Sequence, residues 1–360
     1  MTEKDKNPTA ALVKRLSQAV GVSSYTGPHA VQDAVAAELT PHADRVDRDR
    51  MGSVVGVKLG RQTEADPAAR RKIMLAAHLD EIGAVVTALD DDVLRFTKIG
   101  GLDARVLMGQ DVMVHGRQDL PGVIGSIPPH LLPPGQSRQT VDLTKMHIDV
   151  GLPATELAQQ VRVGDLVSFV RPPQELLNGQ LSGKAMDNRA SVAAMILCLQ
   201  NLAGMDHQWD VYAVATAEEE WGQFVGATTQ TYAIRPDAAV VLDVTFADVD
   251  EIDVKLDAGP VITFGPSNHP VLRKRLLDIC TDLELKYQSE PLPSGAGTDA
   301  YAVEISREGV PTILISVPSR YMHSPAEVIH TKDLERIGRL LAHFIAGLDE
   351  NSVDQLVPSP

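Results

Sequence analysis

Residues 72–80 read KIMLAAHLD: an apolar run that ends on His78, with Asp80 two residues on. A short continuous apolar segment between polar loops is what a strand buried on both faces looks like. Three other segments repeat the pattern. VYAVATA (211–217) runs into Glu218-Glu219-Glu220, AAVVL (238–242) into Asp243, and TILISV (312–317) through PSRYM into His323. Helical stretches lie between them: RASVAAMILCLQNLAG (189–204), HPVLRKRLLDICTDL (269–283) and the amphipathic TKDLERIGRLLAHFIAGL (331–348). Alternating strands and helices predict an α/β fold with a mixed, largely parallel sheet covered by helices on both faces.

Upstream, residues 9–40 read as two helices broken at Gly21–Pro28, and SVVGVKL (53–59) reads as another strand. Between Ala84 and Arg171 the texture changes. AVVTAL, VLRFTKI, DVMVHG, GVIGSI, MHIDVGL and DLVSFV are short runs punctuated by Gly, Pro and Asp, which predicts an all-β module. The expected organisation is an α/β domain over 1–85 and 172–350, an inserted β domain over 86–171, and a frayed tail over 351–360.

The 360 residues carry a formal net charge of −15, which argues against nucleic-acid partners and anionic membrane surfaces. No apolar run approaches the ~20 residues of a spanning helix. The N-terminal stretch MTEKDKNPTAALVKRLSQAV has no apolar signal region, so a cytoplasmic protein is expected. Cys198 and Cys280 provide no disulfide framework and are expected to be reduced core thiols.

Active sites of open α/β sheets form at the carboxyl ends of strands, where side chains from separate loops converge. Four strand ends bearing His, Glu, Asp and His, with Asp187 in LSGKAMDNR just before a helix, supply an imidazole–carboxylate set suited to zinc, cobalt or manganese. Each residue alone has an ordinary alternative, such as a helix cap for Asp187 or a solvated loop for the glutamates. Their coincidence favours a metal site.

At these residues the chain resembles the tetrahedral aminopeptidases, the glutamyl aminopeptidase or "cellulase M" family of co-catalytic metallopeptidases. The matching segments are AAHLDEIG, GVIGSIPPHLL, GKAMDNRAS, EEEWG, VVLDVTFA, GAGTDA and SRYMHSPAEVI, in the family's order. The resemblance implies a zinc-exopeptidase-like peptidase domain with an inserted PDZ-like or barrel dimerisation domain. It also implies two divalent ions per subunit: His78 and Asp243 on one, Glu220 and His323 on the other, Asp187 bridging. Glu219 matches the general base and Asp80 the carboxylate that orients His78. Gly295, Gly297, Thr298 and Asp299 match a loop lining the substrate pocket. Implied partners are peptide substrates and further copies of the chain, as a dimer and beyond it a tetrahedral dodecamer. Glu218 stands where the family has Gln, Trp221 where Val is common, and GQFVGA is one residue longer than usual. Those departures bear on the pocket beside the metals.

The expected activity is removal of N-terminal residues. Deacylation or carboxypeptidase action could run on the same metals, with Lys184, Arg189 or Arg320 as the cation for a C-terminal carboxylate. Glycoside hydrolysis by a metal-free carboxylate pair would give His78 and His323 no part.

Overall fold

The computed structural model describes residues 7–62, 64, 66, 69–127, 141–250, 252–293 and 297–356. Helices α1 (Pro8–Gln18) and α2 (Val31–Leu39) precede strands β1 (Arg45–Arg48), β2 (Val54–Lys58) and β3 (Lys72–His78). Six strands then follow, β4 (Gly83–Asp90), β5 (Val93–Ile99), β6 (Asp111–His115), β7 (Asp119–Gly125), β8 (His147–Asp149) and β9 (Leu166–Phe169), with helix α3 (Ala154–Gln160) before the last. The chain continues through β10 (Gln174–Glu175), β11 (Gln180–Gly183), α4 (Met186–Leu202), β12 (Asp210–Thr216), α5 (Val225–Ile234) and β13 (Ala238–Phe246). It closes with β14 (Val261–Phe264), α6 (Pro270–Asp282), β15 (Gln288–Pro291), α7 (Asp299–Glu304), β16 (Thr312–Ser319), β17 (Glu327–His330) and α8 (Thr331–Ala346).

The main sheet has eight strands in the order β1-β2-β12-β3-β13-β16-β14-β15. Its four central strands, β12, β3, β13 and β16, run parallel, while β2 and β14 flank them antiparallel. The sequence-based expectation of a mixed, largely parallel sheet is met.

Side chains on β3 alternate between two cores, as a pleated strand requires. Ile73, Leu75 and Ala77 face the larger core with α1, α2, α4, α6 and α8, whereas Met74 and Ala76 face the one with α5 and α7. Nearly every residue of α4 is buried, Cys198 included, because α8 and α1 cover the side turned away from the sheet.

The inserted module is a closed six-stranded barrel, β4-β5-β8-β7-β6-β9, with its own core around Val86, Leu94, Val114, Ile148 and Val167. Closure satisfies the backbone groups that an open edge would leave bare. The barrel alternative therefore holds over the PDZ-like one, and the module is not purely β, since α3 seals its rim with Leu157. His130 lies outside the described residues.

The expectation of a frayed tail over 351–360 needs correction. Ser352 and Leu356 are buried, and Leu356 sits in a short 3-10 turn against the main core; 357–360 are outside the described residues. No helix among the described residues is long and apolar enough to cross a membrane.

Candidate active site

Strand register brings the first residues together. Thr216 at the end of β12 pairs level with His78, and Val241 of β13 pairs with Ala76, so Asp243 comes level with His78 two residues on. The result is a His78 Nε2 to Asp243 Oδ1 distance of 3.8 Å, with both side chains buried. Asp243 Oδ1 also accepts from the amide of Val244 at 2.8 Å.

Asp187 enters from the start of α4. Its backbone is extended (φ −77°, ψ 101°), and Ala185 before it takes a left-handed φ of 56°. Its two carboxylate oxygens face different histidines: Oδ1 lies 3.1 Å from His78 Nε2, and Oδ2 lies 3.4 Å from His323 Nε2. His323 stands on the loop after β16. Glu220 completes the cluster, since potential ligand atoms of His78, Asp187 and Glu220 all lie within 4.8 Å of one another. Glu220 Oε1 is buried and has no hydrogen-bond partner, a costly state that a cation would relieve.

Glu219 is buried, with Oε2 3.8 Å from His78 Nε2. Glu218 turns the chain off the sheet with a φ of 62° and accepts the Ser24 hydroxyl at 2.8 Å. Asp80 lies two residues past His78, where β3 ends. The Asp80 carbonyl comes within 3.2 Å of His78 Nδ1 and its carboxylate only within 3.6 Å. That carboxylate instead accepts the Ser23 hydroxyl at 2.5 Å and the amides of Glu219 and Glu220 at 3.1 and 3.2 Å.

Among the proposed pocket residues, Gly297 is exposed and Thr298 half-buried, capping α7 with its hydroxyl. Gly295 lies outside the described residues. Asp299 departs from the expectation of a pocket-lining loop. It is 1% exposed and hydrogen-bonded by the Thr216 hydroxyl behind the sheet end.

Negative charge dominates the site. Burial pushes Glu219 up to about 9, Asp243 to about 7 and Asp299 to about 6, and neighbouring carboxylates add to each. Glu220 is likewise raised by burial and by Asp187. Burial alone would lower His78, but Glu219, Asp187, Asp80 and Asp243 together raise it. Asp187 goes the other way: hydrogen bonds from His323 and His78 override its burial and hold it below the usual carboxylate range. Burial and mutual repulsion disfavour the ionised forms of Glu219, Glu220 and Asp243, and a bound cation would stabilise them.

The sequence reading missed several supporting residues. Glu81, next to Asp80, is buried and bonds Lys184 Nζ with both oxygens at 2.6 Å, Arg189 Nη2 at 3.0 Å and the Gly21 amide at 2.9 Å. Arg189 also donates to the carbonyls of Leu16 and Leu79, and Arg320 pairs with Asp248 at 2.6 Å. Lys184, Arg189 and Arg320 are thus each committed to a partner of their own.

The barrel reaches the site too. A β-carbon at Gly101 would fall 2.2 Å from His323 Nδ1, and one at Gly100 (φ 81°) 2.8 Å from Glu220 Oε2. Only bare backbone fits there, and it forms a wall over both side chains.

Residues 52–340 match the sequence profile of the family described as M42 glutamyl aminopeptidase. The chain belongs to that family.

The M42 chain is 33% identical over 338 residues to a protein named lysyl aminopeptidase from Pyrococcus furiosus, spanning 91% of this chain and 94% of that one. Its fold is similar to that of the TET aminopeptidase of Thaumarchaeota archaeon SCGC AB-539-E09, with a TM-score of 0.89, 30% identity, and coverage of 98% and 100%. It is also similar to the TET1 peptidase of Pyrococcus horikoshii, with a TM-score of 0.82, 28% identity, and coverage of 94% and 100%. That protein is described as assembling into a tetrahedron or a large octahedral shell. Membership in the M42 family makes this chain a peptide hydrolase.

Proposed function

We propose that the chain is a two-metal aminopeptidase that removes single residues from free N-termini. The observation that carries this reading is Asp187, whose two oxygens address two histidines 3.1 and 3.4 Å away, the disposition of a carboxylate shared between two ions. His78 and Asp243 would hold one ion and Glu220 and His323 the other, with Asp187 between them. The mixed nitrogen and oxygen donors suit zinc or cobalt, with manganese also accommodated.

When bound, the two ions supply polarisation of the scissile carbonyl and an acidified water. Glu219, adjacent in sequence to Glu220, takes a proton from the attacking water and returns it to the leaving amine. A base must be unprotonated; burial first and the neighbouring carboxylates next raise Glu219, and cations held by the cluster would lower it again. Asp80 keeps Glu219 and Glu220 in register through their amides.

Selection of the amino end follows from charge. A protonated α-amine is favoured among these carboxylates, whereas a substrate carboxylate needs a cation. Lys184 and Arg189 are engaged by Glu81, and Arg320 by Asp248. Thr298 and Gly297 border the pocket.

The domain arrangement expected from the sequence, with a peptidase unit over 1–85 and 172–350 and an insert over 86–171, supports a homodimer built on the barrel. The shells formed by related peptidases support a larger tetrahedral particle that admits peptides.

The test is product analysis. Mass spectrometry of a digest should show a ladder shortening from the amino end, and an N-acetylated copy of the peptide should resist. A ladder from the carboxyl end, or equal turnover of the acetylated peptide, defeats the aminopeptidase reading and leaves the metal site standing.

A further inference from the structure

Glu327 does not touch the substrate side of the cluster, yet the structure spends a fully buried carboxylate on it. It opens β17 and is 1% exposed. In the register of the small sheet it lies opposite Gly183 of β11, whose strand leads through Lys184 to Asp187. One oxygen, Oε2, accepts the Asp187 amide at 3.0 Å; the other, Oε1, accepts the His323 amide at 3.0 Å.

These two amides belong to residues 136 positions apart, and the segments that carry them are joined nearby by the antiparallel pairing of β11 with β17. The His323 loop is closed at its base by Arg320 and Val328, which exchange backbone hydrogen bonds at 2.9 and 3.0 Å. Within it, Tyr321 and His323 both adopt left-handed φ values, 61° and 62°. Such backbone needs a fixed partner to hold it in place. A buried carboxylate is costly unless donors satisfy it, and here the amides of Asp187 and His323 do so together with that of Met186, which precedes Asp187.

We propose that Glu327 is a positioning residue that sets the distance between Asp187 and His323, and so the affinity of the second metal site. This rests on the two-metal reading above. It acts on the backbone of two side chains at once, which a ligand's ordinary hydrogen-bonded neighbour does not.

The experiment compares wild type with Glu327→Gln, which keeps shape but retains only one acceptor oxygen. Metal-free protein is titrated calorimetrically with Zn2+ or Co2+, and hydrogen exchange is followed in peptides covering Asp187 and His323. The variant should bind its second equivalent about 10- to 100-fold more weakly, with the first equivalent changed less. Exchange in both peptides should quicken even without metal. Glu327→Asp keeps two acceptors on a shorter arm, so it should fall between the two and carries the test should Glu327→Gln not fold. Unchanged second-site affinity with unchanged exchange overturns the proposal. A wild-type titration that saturates at one ion defeats the two-metal reading instead, while the exchange result still decides the role of Glu327.

Discussion

Asp80 holds Glu219 by its backbone: Oδ1 accepts the Glu219 amide at 3.1 Å, while Oδ2 takes the Glu220 amide at 3.2 Å and the Ser23 hydroxyl at 2.5 Å. One carboxylate thereby ties the proposed base, a proposed ligand and the N-terminal segment together. Asp80→Asn replaces an acceptor by a donor that faces another N–H. Turnover should fall about 10- to 100-fold with a smaller change in KM. Steady-state kinetics giving a wild-type kcat would show that the amide contacts do not matter.

Glu219→Gln should keep fold and metal but lose at least about 100-fold in turnover, the usual worth of acid–base catalysis. Metal analysis alongside the kinetics separates this from ligand loss. Near-normal turnover with both ions present would remove Glu219 from the mechanism.

Asp187→Asn should weaken both ions together, because the shared side chain loses its negative charge and one of its two ligand oxygens. Metal content after gel filtration reads this directly. Two tightly held ions per chain in the variant would contradict a bridge.

The metal-free protein should lose stability as pH rises. Asp243 is raised to about 7 and Glu219 to about 9, by burial first and neighbouring carboxylates next, and His78 is raised by the acids that overcome its burial. Each folded value exceeds the unfolded one, so the native state holds extra protons in this window. Their contribution is complete below the ordinary carboxylate range of about 4 and is lost as pH climbs through about 7 and about 9. Asp80 and Asp187 are shifted down, so their contribution is already constant above pH 5. Calorimetry on chelator-treated protein should show Tm falling from pH 6 to pH 9, and saturating metal should reverse the fall. A Tm that rises over that range would refute this electrostatic picture.

Light scattering at micromolar concentration with metal present should give at least a dimer. Deleting residues 86–171 should give monomers. A monomeric full-length chain would count against assembly through the barrel.

Much of the main sheet could be read from sequence because its strands are continuous apolar runs that end in polar residues. KIMLAAH and AAVVL are examples. The helix α5, with its run of threonines and a glycine, offers no apolar stripe, β14 is only the four residues VITF, and β15 (QSEP) is polar and partly exposed, so these elements give little sequence signal. The proposed ligands His78 and Asp243 were legible because the ends of neighbouring parallel strands converge by register. Glu81 and Glu327 were not, since each looks like an ordinary acid beside a motif, and only packing across segments distant in sequence shows what they hold. For Asp299 the sequence reading was of a pocket-lining loop, and the burial of its carboxylate against the Thr216 hydroxyl shows only in the packing.

The wall that Gly100 and Gly101 present to Glu220 and His323 makes the insert more than a handle for assembly. If barrel geometry shapes the second metal's surroundings, occupancy of that metal and association of subunits are thermodynamically linked, and the linkage is reciprocal. Chelation should then loosen the particle, and dilution should loosen the ion. Gly101→Ala, whose added methyl would meet the His323 ring, should register in both measurements.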